Sequence, residues 1–412
     1  MSIRRFRPLL FVPVFLLTAC GAEPGSDSGP LVSIDTLNDG AVRIHYSSLP
    51  SGQPVVAVPE LRFGSVEGDP NFVFGDVRGV EAGLDGTIYV LDYLASEIRA
   101  FDSSGQFLRK VASEGEGPGE LSEANGMILV GDSILWVQDH SKWMMIGLDP
   151  KGEELARIPM HVRSYAYVWT GTVDNAGRFW KPTSHSDRDG PFIPEDGLFE
   201  GTYRLYLKSF DPSSGAVDSL YLGEDSGRSF VSMNGRLYTS IPFDPRLVTT
   251  VDPDGGFWQV HTAGYRVARL NEKGDTTLVI EVDVDPLPVE PEDLSAFMDR
   301  FPESDTDRRR AAEEAAQFIR PSKPIIRGTF MDDGARLWIE REVRDGANPH
   351  FDVFDRSGDF QGSVQIGFSP APYRPIRIRH GFLYAVELDE LDVPSVVRAR
   401  VPESVGGGAE EH

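Results

Sequence analysis

Across 412 residues the chain sets 64 Asp and Glu against 40 Lys and Arg, a formal net charge of -24. That balance argues against nucleic acid or an anionic lipid surface as partner, because both need a cationic footprint. A single cysteine leaves nothing for a disulfide or a thiolate metal site, so stability has to come from packing.

Arg4, Arg5 and Arg7 precede an apolar run from Leu9 to Leu17, and small residues lead from it to Cys20, the layout of a secretory signal peptide. The run is too short to span a bilayer. Leu17-Thr18-Ala19-Cys20 resembles the lipobox of bacterial lipoproteins. The resemblance implies that residues 1–19 are a lipoprotein signal peptide and that Cys20 carries acyl chains, each worth about 0.8 kcal/mol per buried methylene. Cleavage removes three arginines and takes the charge from -24 to -27. Gly21 resembles the default for outer-membrane delivery in Gram-negative lipoproteins, which implies the cell envelope, with the membrane reached through the N-terminal lipid only. Residues 20–30, rich in Gly, Ser, Pro and acid, read as a flexible linker.

Residues 31–54 read as a hairpin around Asn38-Asp39-Gly40 and a lead-in. From 55 to 401 the chain repeats itself. Gly at a tight turn is followed by an aromatic: Gly86 with Tyr89, Gly131 with Trp136, Gly177 with Trp180, Gly255 with Trp258, Gly334 with Trp338 and Gly381 with Tyr384. Acidic or amide turns follow all but the last copy, at Asp102 to Gly105, Asp149 to Gly152, Asp211 to Gly215, Asn271 to Gly274 and Asp355 to Gly358. Between turns the apolar period is two, so the segments are strands. Repeats of this length and signature predict propeller blades, at roughly 77–112, 124–160, 165–223, 246–284, 325–367 and 375–401.

Through Asp85-Gly86-Thr87-Ile88-Tyr89-Val90-Leu91-Asp92 and Gly115-Glu116-Gly117-Pro118-Gly119-Glu120-Leu121 the chain resembles the six-bladed, NHL-like β-propellers of bacterial lipoproteins. The fold class is all-β, a six-bladed β-propeller with a small helical insertion between blades 4 and 5. The sixth blade lacks an outer strand, which Val55 to Phe63 should supply; residues 402–412 are a disordered tail. Phe230 to Pro242, around Asn234-Gly235, reads as an extra hairpin, with seven blades the runner-up.

Long insertions fall at about 182–202, 224–245 and 286–324, all in connections that emerge on one face of a propeller, and this marks the binding side. The last contains helix, at about 290–320: Leu294, Phe297, Met298 and Phe301 recur at helical spacing before Pro302, and Ala311, Ala312, Ala315, Ala316 and Ile319 follow.

Candidate ligand-binding residues lie where inner strands start or second strands end on that face: Asp92, Tyr93, His140, His161, Tyr165, Arg246, His261, Arg327 and Arg377, with Arg78, Arg163, Asp139, Glu340 and Glu387 beside them. The arginines suit a carboxylate or phosphate, or else pair with acids such as Glu81 and Glu123. Gly131-Asp132-Ser133-Ile134 and Asp252-Pro253-Asp254-Gly255 resemble a hydrolase elbow and a calcium loop but read as turns. The expectation is a monomeric binding module for a protein, peptide or small anionic ligand, with no resident cofactor. A metal-assisted hydrolase or lactonase, with Ca as the metal to test, is the alternative.

Overall fold

The computed structural model describes residues 31–50, 52–159, 171–185, 193–402 and 405, and its strands form six sheets. Each contains four antiparallel strands, designated A to D from the centre outward. In blade 1 these are Val77–Ala82, Ile88–Asp92, Glu97–Phe101 and Phe107–Ala112. Strand A of blades 2 to 6 is Ala124–Val130, Thr172–Val173, Leu247–Val251, Ile326–Met331 and Arg377–Arg379. The outer turns close alike: the Asp102 carboxylate accepts the N–H groups of Ser104 and Gln106, and Asp149 and Asp355 repeat the pattern. Gly152 in the second of these turns has φ +101° and lies where a Cβ would meet the Val111 carbonyl of blade 1, so only glycine fits.

Apolar faces of neighbouring blades stack, and the stacking goes all the way round. Leu91 meets Met127 between blades 1 and 2, Met145 meets Phe179 between 2 and 3, and Leu207 meets Phe257 between 3 and 4. Val267 and Phe354, Val353 and Val397, then Val386 and Val90 complete the ring. The fold is therefore an all-β six-bladed propeller.

The ends differ from the sequence reading in detail. The hairpin Val32–Thr36 and Val42–Tyr46 adds to the outer edge of blade 4, its second strand parallel to strand D, Thr276–Val282. Val55 to Phe63 is not one strand. Val55–Ala57 runs parallel to Phe360–Ile366 at the rim of blade 5, and Pro59–Phe63 pairs with Pro394–Arg400 as strand D of blade 6. Pro59 has no N–H with which to extend the first ladder, so the chain steps to the next blade there. Val405, within the stretch read as the tail, is buried in the junction of blades 5 and 6.

In blade 3, strands C and D, Asp196–Asp211 and Ala216–Met233, overrun the blade, and Arg236–Ser240 folds back on strand D through the Asn234-Gly235 turn. The first two insertions and the extra hairpin are thus one sheet extension. Helices α1, Pro291–Met298, and α2, Thr306–Ala316, cover it: Phe297, Ala311, Ala312 and Ala315 pack on Val231, Met233 and Ile241. Among the described residues no helix is long and apolar enough to cross a membrane.

Candidate functional site

The connections A–B and C–D are short turns on one face. The connections B–C and D–A, with the sheet extension and both helices, occupy the other. At the turn face the channel is pinched. Arg379 of blade 6 donates to the Leu129 carbonyl of blade 2 (3.0 Å) and lies 3.4 Å from Asp132. His380 stands 3.6 Å from Asp132 and 3.6 Å from Asp333, which draws blades 2, 5 and 6 together.

At the opposite mouth three inner strands carry a one-residue bulge at Arg78, Asn125 and Arg327. A bulge re-aims its side chain out of the ladder. Each is followed by glycine, and at Gly79 a Cβ would lie 3.0 Å from Met127 of the next blade. The repeated Arg-Gly or Asn-Gly pair was the sequence signal for this ring, and periodicity alone did not expose it. Arg78 donates to Asp76 (2.8 Å) and to Asn125 (2.5 Å), with its guanidinium 3.3 Å over the Tyr93 ring. Arg374 of blade 6 donates to Asp76 (2.5 Å) and to the Val77 carbonyl (2.9 Å).

Between blades 4 and 5 the arrangement is different. Arg246 donates to the Arg327 carbonyl (3.1 Å) and makes no ion pair among the described residues. Arg327 sits 3.7 Å from Glu340 and 3.8 Å from Glu342. Burial pushes both carboxyls above their ordinary range, and Arg327, joined at Glu340 by Arg246, only partly opposes it. Two exposed guanidinium groups therefore stand side by side over carboxyls biased toward the neutral form.

The other expected site residues are placed as follows. Asp92 is buried as a strut: its carboxylate accepts from Gly75 (3.0 Å) and Asp76 (3.1 Å) and lies 3.5 Å from Arg99. Asp139 does the same in blade 2, accepting from Ser122 (2.7 Å) and Lys142 (3.0 Å). His140 bonds through its N–H to the Glu123 carbonyl, its ring 5.6 Å from Trp143. His261 is exposed opposite Leu247. Arg377 lies deeper than the mouth, 2.7 Å from buried Glu81, and Arg374 holds the position nearest the opening. Glu387 pairs with Arg62 at 2.6 Å. His161, Arg163, Tyr165 and Cys20 lie outside the described residues. Among the described residues no three His, Cys, Asp or Glu side chains group to hold a metal. Asp252 and Asp254 are held by Arg356, consistent with a turn.

The family model DUF5128, a 6-bladed beta-propeller, matches residues 60–174, from the strand that closes blade 6 through the start of blade 3. A search of the curated proteins finds no match. Among solved structures, a member of the duf4221 family from Bacteroides vulgatus is 11% identical, with 84% of this chain and 97% of that chain covered and a TM-score of 0.47. The calcium-binding protein regucalcin from Agrobacterium tumefaciens is 12% identical over 84% of this chain and 97% of its own, TM-score 0.37. Virginiamycin B lyase from Staphylococcus aureus is 11% identical over 81% and 86%, TM-score 0.36.

Proposed function

We propose that this protein is an exported binding module, anchored in the cell envelope through acylated Cys20, that recognises a carboxylate- or phosphate-bearing ligand at the long-loop mouth of its propeller. The observation that carries the reading is Arg246: among the described residues no carboxylate lies within ion-pair distance of its guanidinium, Glu340 acts on it only at longer range, and it stands beside Arg327, whose acidic neighbours have pKa values raised by burial. Among the described residues Arg78, Arg374 and Arg377 are already paired with carboxylates. The contacts that pinch the turn face favour the long-loop face as the way in, and the sheet extension and helices give a wall against which a peptide or protein bearing the anion would lie.

The test is calorimetric titration of the chain from residue 31 with sulfate and with succinate at low salt. Binding is expected, and Arg246→Ala with Arg327→Ala should weaken it by about tenfold or more, the worth of a charge-assisted contact. Equal affinity in the variant would overturn the reading. The raised Glu340 and Glu342 also favour a second one, acid/base chemistry in a metal-assisted hydrolase or lactonase. Turnover of ester or lactone substrates with added divalent metal, lost in Glu340→Gln, would establish it in place of the first.

A further inference from the structure

Seven of the eighteen large apolar side chains that are exposed among the described residues belong to residues 31–58. They share one stretch of rim. The N-terminal hairpin edges blade 4, Val55–Ala57 edges blade 5, and the two blades are neighbours: the Tyr46 hydroxyl donates to the Gly358 carbonyl of blade 5 at 2.9 Å. Register says which way the side chains face. Ile34 lies opposite Ile44, which is buried against blade 5, so Val32, Ile34 and Val42 face the blade 5 side. Val56 lies opposite Gln365, whereas Val364 and Ile366 on the other face pack on blade 6, so Val56 turns back toward the hairpin. Ile34 is 67% exposed, Val56 45% and Val58 63%. The reverse face of the hairpin is polar, with Arg43 bonded to Asp35 and His45 to Asp283. Among the described residues both outer strands end their sheets without a partner.

We propose that this rim of blades 4 and 5 rests on the surface of the bilayer that holds Cys20; the inference depends on the lipid anchor put forward above. Leu31 lies eleven positions beyond Cys20. Eleven such steps span at most about 40 Å, and about 18 Å as a random coil, so the hairpin is the described element nearest the anchor and is held at high local concentration by the membrane. Aliphatic side chains on an amphipathic edge suit the headgroup boundary. A second copy of the chain is the poorer occupant, because two bodies each of charge -27 repel, whereas a zwitterionic lipid surface carries no net charge to oppose contact. The rim faces sideways from the propeller axis. Seated this way, the channel lies along the membrane plane and its long-loop mouth stays open to the surrounding compartment.

Cys20 is the only thiol, so the chain from Cys20 can be coupled there to a maleimide lipid in phosphatidylcholine vesicles and followed by amide hydrogen exchange. Exchange at residues 32–36 and 55–58 should slow by about tenfold on coupling. In the Ile34→Asp, Val56→Asp variant the slowing should vanish with the thermal unfolding temperature unchanged, since both positions are exposed. No slowing in the parent chain overturns the proposal. So does slowing without vesicles that grows with protein concentration, the result for a second copy. The anchor is judged separately, by the mass of the Cys20 peptide from cells: coupling supplies the tether in either case, so the rim contact and natural acylation can fail independently.

Discussion

Asp174 and Asp332 occupy the same place in blades 3 and 5, and each closes a turn while holding two side chains of the strand that follows. Asp174 accepts from Arg178 Nε (2.7 Å) and Trp180 Nε1 (2.7 Å), Asp332 from Arg336 Nε (2.7 Å) and Trp338 Nε1 (2.8 Å). Blade 4 keeps Asp252 and Trp258 at that spacing but has Gly256 where the arginine stands. Arg269 and Arg356 take up the Asp252 carboxylate, and Trp258 Nε1 has no hydrogen-bond partner among the described residues. Trp338→Phe should therefore destabilise by about 1–2 kcal/mol more than Trp258→Phe in chemical denaturation, because the two fully buried rings lose the same volume and only one loses a hydrogen bond. Lys181 shows the opposite economy. It is 6% exposed, no bond to its ammonium is found among the described residues, and burial lowers its pKa to about 8 from 10.5. Between those values the unfolded chain binds a proton that the folded chain does not, so stability rises with pH across the window. Lys181→Met should gain about 3 kcal/mol at pH 7 and flatten that slope, measured by denaturant unfolding from pH 7 to 11.

At the scale of elements, the spacing of Leu294, Phe297, Met298 and Phe301 predicts α1, and the alanines after Pro302 predict α2, as found. Small residues at 311, 312 and 315 let α2 lie close on the blade 3 extension. Phe297→Ala should cost the cap about 3–4 kcal/mol, seen as faster amide exchange over 291–316 with exchange in blades 1 and 6 unchanged. The target of these helices was not legible, because the apolar face of strand D in blade 3 belongs to a strand that outlasts its blade. Nor were the bulges: alternation marks strands but not a single added residue, and only the recurrence of Arg78-Gly79, Asn125-Gly126 and Arg327-Gly328 betrays them.

For the molecule as a whole, closure depends on five residues near its start. Pro59–Phe63 completes blade 6, whereas the hairpin at 32–46 only widens blade 4. A chain beginning at Ser48 should still unfold cooperatively in calorimetry. One beginning at Ser65 should lose that transition and associate, since it leaves the edge of Pro394–Arg400 bare.

Number and order of blades, the turn chemistry, the helices and the face that carries the excursions were written in local pattern, because each depends on residues close together in the chain. Which arginine, among the described residues, is left outside ion-pair distance of an acid was not. Arg78, Arg246, Arg374 and Arg377 look alike in one dimension, and their fates differ because partners such as Asn125, Glu81 and Asp76 come from other blades or other turns. Charge pairing is decided by distance in space, and a ring brings together residues nearly three hundred positions apart, as Arg374 and Asp76 show.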